Sequence, residues 1–231
     1  MKIGMNSFVW EQDFPDVYGQ TSISFLKQCR GFAEAKNGDL RAANSVVVKC
    51  VNPQSLAELR RRYPDAEILP VITDNKLPLA LAQAIGLRIC KTVFVHKNRQ
   101  RKHMRAMERL LHPPTFEGAI KHRKNYILVD DIMTQGGTIS SLRKHVISGG
   151  GNVVAVVVLA CAAGGSTLTP EQNNILLLSK KFGSEQLNRI LQKYSISNNP
   201  HELTNRQAQY LLRFKEIDNI VEKINYALAN A

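Results

Sequence analysis

Apolar and polar positions along this 231-residue chain change their period twice. Between Ser22 and Lys36 the apolar residues fall at Ile23, Phe25, Leu26, Cys29, Phe32 and Ala33, which is one face of a helix, and the turn Lys36-Asn-Gly-Asp39 ends it. From Ser45 the rhythm shortens. Runs rich in β-branched residues at Ser45–Val51, Ala66–Ile72, Ile89–Val95, Tyr126–Val129 and Val153–Leu159 predict five strands. Helical patterns at Pro53–Arg62, Leu77–Ile85 and Gly137–Ser148 lie between them, and Gly149-Gly-Gly151 stops the third. Strands this apolar are buried on both faces, so the expected fold class is α/β, with a doubly wound, mainly parallel five-stranded sheet.

After Gly165 no further strand pattern occurs. Thr169-Pro170-Glu171, Ser184-Glu185 and Thr204 read as successive helix starts, which predicts a helical C-terminal hood. The expected division is an N-terminal, partly helical segment over 1–44, an α/β core over 45–163 and a helical subdomain over 164–231.

Composition narrows the class. The longest apolar stretch, Val153–Ala163, is too short to cross a bilayer, and no apolar run follows a basic flank near Met1. A soluble, cytoplasmic protein with no membrane partner is expected. Cys29, Cys50, Cys90 and Cys161 form no CxxC pair and read as buried thiols rather than a zinc site or a disulfide framework. The histidines at 96, 103, 112 and 122 lack metal-site spacing. The formal charge of +12 is concentrated: between Arg88 and Lys124, eleven Lys or Arg against Glu108 and Glu117 leave +9. A basic stretch of this kind attracts an anionic small molecule or a nucleic-acid backbone.

The chemistry gathers in Ile127-Leu-Val-Asp-Asp-Ile-Met-Thr-Gln-Gly-Gly-Thr-Ile139. In an open parallel sheet, ligands bind beyond the carboxyl ends of strands, where loops lead into helix N-termini. Asp130 and Asp131 end a buried strand, a costly place for two carboxylates unless donors such as ribose hydroxyls meet them. Thr134, Gln135, Gly136, Gly137 and Thr138 then combine small residues, hydroxyls and the free amides of a starting helix, which makes a phosphate cradle. Acids for a diol beside amides for a phosphate suit a ribose 5-phosphate. The structural alternative is a strand, an acidic turn and a capped helix with no ligand. No Gly-Lys-Thr or Gly-Lys-Ser occurs, which excludes a Walker A loop.

This segment resembles the phosphoribosyl pyrophosphate (PRPP) motif of type I phosphoribosyltransferases. The resemblance implies that Asp130 and Asp131 hold the ribose hydroxyls, with an Mg2+ ion carried by PRPP near them, and that Thr134 to Thr138 bind the 5-phosphate. It also implies a pyrophosphate loop after an earlier strand, for which Thr73, Asp74, Asn75 and Lys76 stand in place, although many members carry Arg-Gly or Lys-Gly there. A mobile basic loop that closes over PRPP is the third family element, and Lys97, Arg99, Arg101, Lys102, His103 and Arg105 are its candidates. Plain alternatives are a strand-to-helix turn for residues 73–76 and a solvated basic surface for residues 96–105.

The activity this implies is transfer of the 5-phosphoribosyl group to a nitrogenous acceptor, a nucleobase or another amine, with release of pyrophosphate. Thr134 and Gln135 stand where hypoxanthine-guanine enzymes usually place an acid, and no glutaminase domain with an N-terminal cysteine is present. Family members commonly form homodimers. The competing class is a noncatalytic PRPP-binding regulator, or a nucleic-acid-associated protein of the same fold.

Overall fold

The computed structural model describes residues 14–95, 104–162 and 167–230. Its centre is a four-stranded parallel sheet in the order β1-β6-β5-β2, formed by Val17–Thr21 (β1), Glu67–Pro70 (β2), Asn125–Met133 (β5) and Asn152–Cys161 (β6). Register runs from Val17 opposite Val156 through Leu128 opposite Val156 to Ile68 opposite Ile127. A short antiparallel ribbon pairs Phe94–Val95 (β3) with Phe116–Glu117 (β4).

Side chains alternate across β5 and β6, as a strand period of two requires. Ile127, Val129, Ala155, Val157 and Leu159 pack on one face of the sheet, against Ile23–Gln28 (α1), Phe32–Lys36 (α2), Leu40–Cys50 (α3), Pro53–Arg62 (α4) and Leu77–Ile85 (α5). Tyr126, Leu128, Val156 and Val158 face the other side, under Gly137–Ser148 (α7). Both faces are therefore covered, which explains why these strands are nearly continuous in apolar residues.

The third layer is helical: Ala106–Leu111 (α6), Gln172–Phe182 (α8), Ser184–Lys193 (α9), Asn205–Leu211 (α10) and Ile217–Ala229 (α11). Its own core contains Leu178, Leu187, Leu191, Leu211, Ile220 and Ile224, and α6 joins it through Met107, Leu110 and Leu111. The C-terminal helices are thus sealed by a helix from the middle of the chain.

Several boundaries expected from sequence change. Ser45–Val51 is not a strand: it belongs to α3, whose Asp39 side chain accepts from the Arg41 and Ala42 amides. Ala43, Val46, Val47 and Cys50 are buried at helical spacing while Val48 is 76% exposed, a pattern no buried strand gives. The strand that completes that side of the sheet is β1. Ile89–Val95 contributes only a parallel bridge from Ile89 to Ile68 before Phe94–Val95 turns into the ribbon, so the five-stranded sheet reduces to four strands and one bridge. The helix expected across Ser22–Lys36 breaks into α1 and α2 where Gly31 takes φ +93°. Helices α4, α5 and α7 match their expected ranges.

Candidate functional site

Because β2, β5 and β6 are parallel, their carboxyl ends emerge at one edge. The loop after β2 and the loop after β5 are therefore neighbours, and α2 lies against both. Lys36, at the C-terminus of α2, donates from Nζ to Asp131 Oδ2 at 2.7 Å. The preceding residue, Ala35, accepts the Lys76 amide at 3.0 Å. One end of a short helix thus ties the 73–76 loop to the Asp pair.

Asp130 and Asp131 are both buried, 8% and 5% exposed. Asp130 Oδ1 accepts the Asp131 amide at 2.8 Å. Burial, and then the charge of Asp131, push the Asp130 carboxyl well above the usual carboxylate range. Asp131 is offset by Lys36, whereas Asp130 has no cation of its own among the described residues. Two adjacent acids with unequal partners leave room for hydroxyl donors from a ligand.

The cradle follows directly. Gly136 takes φ +76°, ψ 2° and caps α7, with the Ser140 amide donating to its carbonyl at 2.9 Å. The Gly137, Thr138 and Ile139 amides open the helix, where geometry leaves them without an intrahelical acceptor. Thr134 is exposed, Gln135, Gly137 and Thr138 are half-buried, and Gly136 is buried. A Cβ at Gly136 would be strained at φ +76° and would stand 2.4 Å from Leu168 Cδ2, which would have to shift.

In the 73–76 loop, Thr73 and Asp74 are exposed and Asn75 and Lys76 half-buried. Asn75 Oδ1 accepts the Leu77 amide at 3.1 Å just ahead of α5, whose cap is Lys76. Thr73 Oγ1 accepts the Asn75 amide at 3.2 Å, and Lys76 Nζ folds back to the Thr73 carbonyl at 3.4 Å. Of the basic-loop candidates, Lys97, Arg99, Arg101, Lys102 and His103 lie outside the described residues. Arg105 is described: it is exposed, stands before the first residue of α6, and its amide donates to Glu108 Oε2 at 2.8 Å.

The structure adds residues that sequence reasoning did not assign. Lys36 reads in sequence as part of a turn, and only the packing of α2 brings it to Asp131. Arg109 on α6 donates from Nη1 to Thr134 Oγ1 at 3.4 Å. Thr204, fully buried at the start of α10, donates from its hydroxyl to the Gln135 carbonyl, and the Asn205 amide donates to the Leu168 carbonyl at 2.9 Å. The cradle is therefore backed by the helical layer. No group of three or more His, Cys, Asp or Glu that could hold a metal occurs among the described residues. None of the helices among them is long and apolar enough to cross a membrane.

No family model matches the chain. Protein TraN of Escherichia coli is 32% identical over 145 residues, covering 58% of this chain and 32% of that protein. An uncharacterized protein of Haemophilus influenzae is 26% identical over 149 residues, covering 60% of this chain and 33% of that protein. The matched segments span about a third of the length of these curated relatives. Among solved structures, a purine phosphoribosyltransferase from Pyrococcus horikoshii is similar over 47% of this chain and 68% of its own, with 21% identity and a TM-score of 0.33.

Proposed function

We propose that this chain binds PRPP and transfers its 5-phosphoribosyl group to a nitrogenous acceptor, a nucleobase or another amine, releasing pyrophosphate. The observation that carries this reading is the union, at one strand end, of two buried carboxylates and a glycine-opened helix N-terminus. The first recognises a diol, the second a phosphate, and four residues separate Asp131 from Gly136.

In this reading Asp130 and Asp131 orient the ribose, and Lys36 holds Asp131 in place. Gly137, Thr138 and the Thr134 hydroxyl receive the 5-phosphate, with Arg109 supplying positive charge beside Thr134. The 73–76 loop faces the pyrophosphate. Two acids without further protein ligands fit an Mg2+ ion that arrives on the diphosphate and keeps several waters, since magnesium is commonly bound through one or two carboxylates and substrate phosphates. When bound, that ion would neutralise charge on the departing pyrophosphate. The chain's own contribution is positioning and electrostatic stabilisation, so no protein nucleophile is required.

The test is incubation with PRPP, magnesium and a panel of purine and pyrimidine bases, followed by pyrophosphate release. Release that depends on Asp131 supports the transferase. PRPP binding without turnover on any base would replace it by a PRPP-binding regulator.

A further inference from the structure

Helix α7 is 12 residues long, and its first turn carries a second feature that points to a ligand. Gln207, on α10, is 9% exposed. Its Oε1 accepts the Thr204 amide at 2.8 Å, which assigns the other end of the carboxamide as nitrogen. That Nε2 lies 3.3 Å from where a Cβ of Gly137 would stand, and it has no hydrogen-bond partner among the described residues.

We infer that the Gln207 carboxamide nitrogen, delivered by α10, donates to a phosphate oxygen of the ligand at the N-terminus of α7. This rests on the phosphoribosyl reading and names a grip that lies outside the motif. The ligand group is a phosphate monoester, which offers acceptor oxygens to helix amides and to a neutral amide donor alike. Thr204 fixes the position twice: its hydroxyl holds the Gln135 carbonyl of the cradle, and its Oγ1 accepts the Gln207 amide at 3.2 Å. The phosphate site is then composite, built by the 134–138 loop and by a helix some 70 residues further along the chain. A Cβ at Gly137 would stand 3.3 Å from Gln207 Nε2, so a side chain there would make the carboxamide give by a few tenths of an ångström.

Gln207→Glu tests this, because the variant keeps an oxygen for the Thr204 amide and replaces the donor by an anionic acceptor. Calorimetry of the full chain is run with PRPP plus magnesium, with ribose 5-phosphate, and with magnesium pyrophosphate, which lacks the 5-phosphate. The expected result is a loss of affinity of about 10-fold or more for PRPP and ribose 5-phosphate, with pyrophosphate binding and ligand-free Tm unchanged, as removal of a hydrogen bond to a charged group predicts. Unchanged ribose 5-phosphate affinity in Gln207→Glu overturns the inference and leaves the phosphoribosyl reading standing. An equal loss for all three ligands makes Gln207 structural and also overturns it. Failure of the unaltered protein to bind either phosphoribosyl ligand overturns the reading on which the inference rests.

Discussion

Lys36 Nζ and Asp131 Oδ2 stand 2.7 Å apart, although 95 positions separate the two residues in the chain. The Asp131 side chain is 8% exposed and that of Lys36 27%, so this pair is shielded from solvent on the acid side. Lys36→Met leaves a buried charge without its partner. It is expected to destabilise the protein by about 1–3 kcal/mol, a range typical for loss of a hydrogen bond to a charged group. Chemical denaturation of the variant checks this, and an unchanged midpoint would show that the pair contributes nothing.

Asp130 gives a prediction of opposite sign. Its folded carboxyl titrates well above its usual value because burial, and next the charge of Asp131, disfavour ionisation. Between the unfolded and folded values the native state binds more protons, so stability contributed by this group falls as pH rises through that window. Asp130→Asn removes the dependence while retaining an oxygen for the Asp131 amide. Thermal scans from pH 4 to 8 should show the variant and the parent close together at the acid end, with the variant gaining by several degrees toward neutrality. The same variant should bind PRPP poorly, a trade of function for stability.

Gly136 combines φ +76° with a 2.4 Å approach of its missing Cβ to Leu168 Cδ2. Gly136→Ala is expected to cost about 1–3 kcal/mol from backbone strain, with further loss from the clash. Leu168→Ala should relieve only the second part. A double-mutant cycle read by denaturation midpoints separates them, and strict additivity would mean that the two residues do not meet.

Cys29 Sγ and Cys50 Sγ lie 3.7 Å apart, with Cys50 4% exposed. Burial, with the neighbouring Cys29 thiol, pushes the Cys50 thiol up to about 12. Thiolate is the reactive form, so iodoacetamide at pH 8 should modify Cys29 well before Cys50. Peptide mass spectrometry of timed samples reads the order, and equal labelling of both would contradict the burial of Cys50 on α3.

Local signals in the sequence place the apolar part of β5, the Gly-Gly loop and α7, because a strand, a turn and a helix start each mark themselves within a few residues. The strand expected to stop at Val129 runs on to Met133, so Asp130 and Asp131 lie inside it, with Asp130 paired to Val158. The same locality explains the errors. Val46-Val47-Val48 favours a strand by residue type, yet the Asp39 cap and the burial of Ala43, Val46, Val47 and Cys50 make it helical. β1 is only five residues long and gains its place from β6, a partner that no short window reveals. Lys36, Arg109 and Gln207 reach the site through tertiary packing of α2, α6 and α10, and nothing at their own positions in the sequence announces it.

Asp130 and Asp131, near the end of β5 before the cradle, are proposed to recognise PRPP together with that cradle. Titration calorimetry of PRPP with magnesium into the protein and into Asp131→Asn tests it most directly. The expected result is saturable binding at one site per chain, weakened at least about 10-fold by the substitution, as loss of a charged hydrogen-bond acceptor implies. No heat from the unaltered protein, or equal affinity in Asp131→Asn, would contradict it.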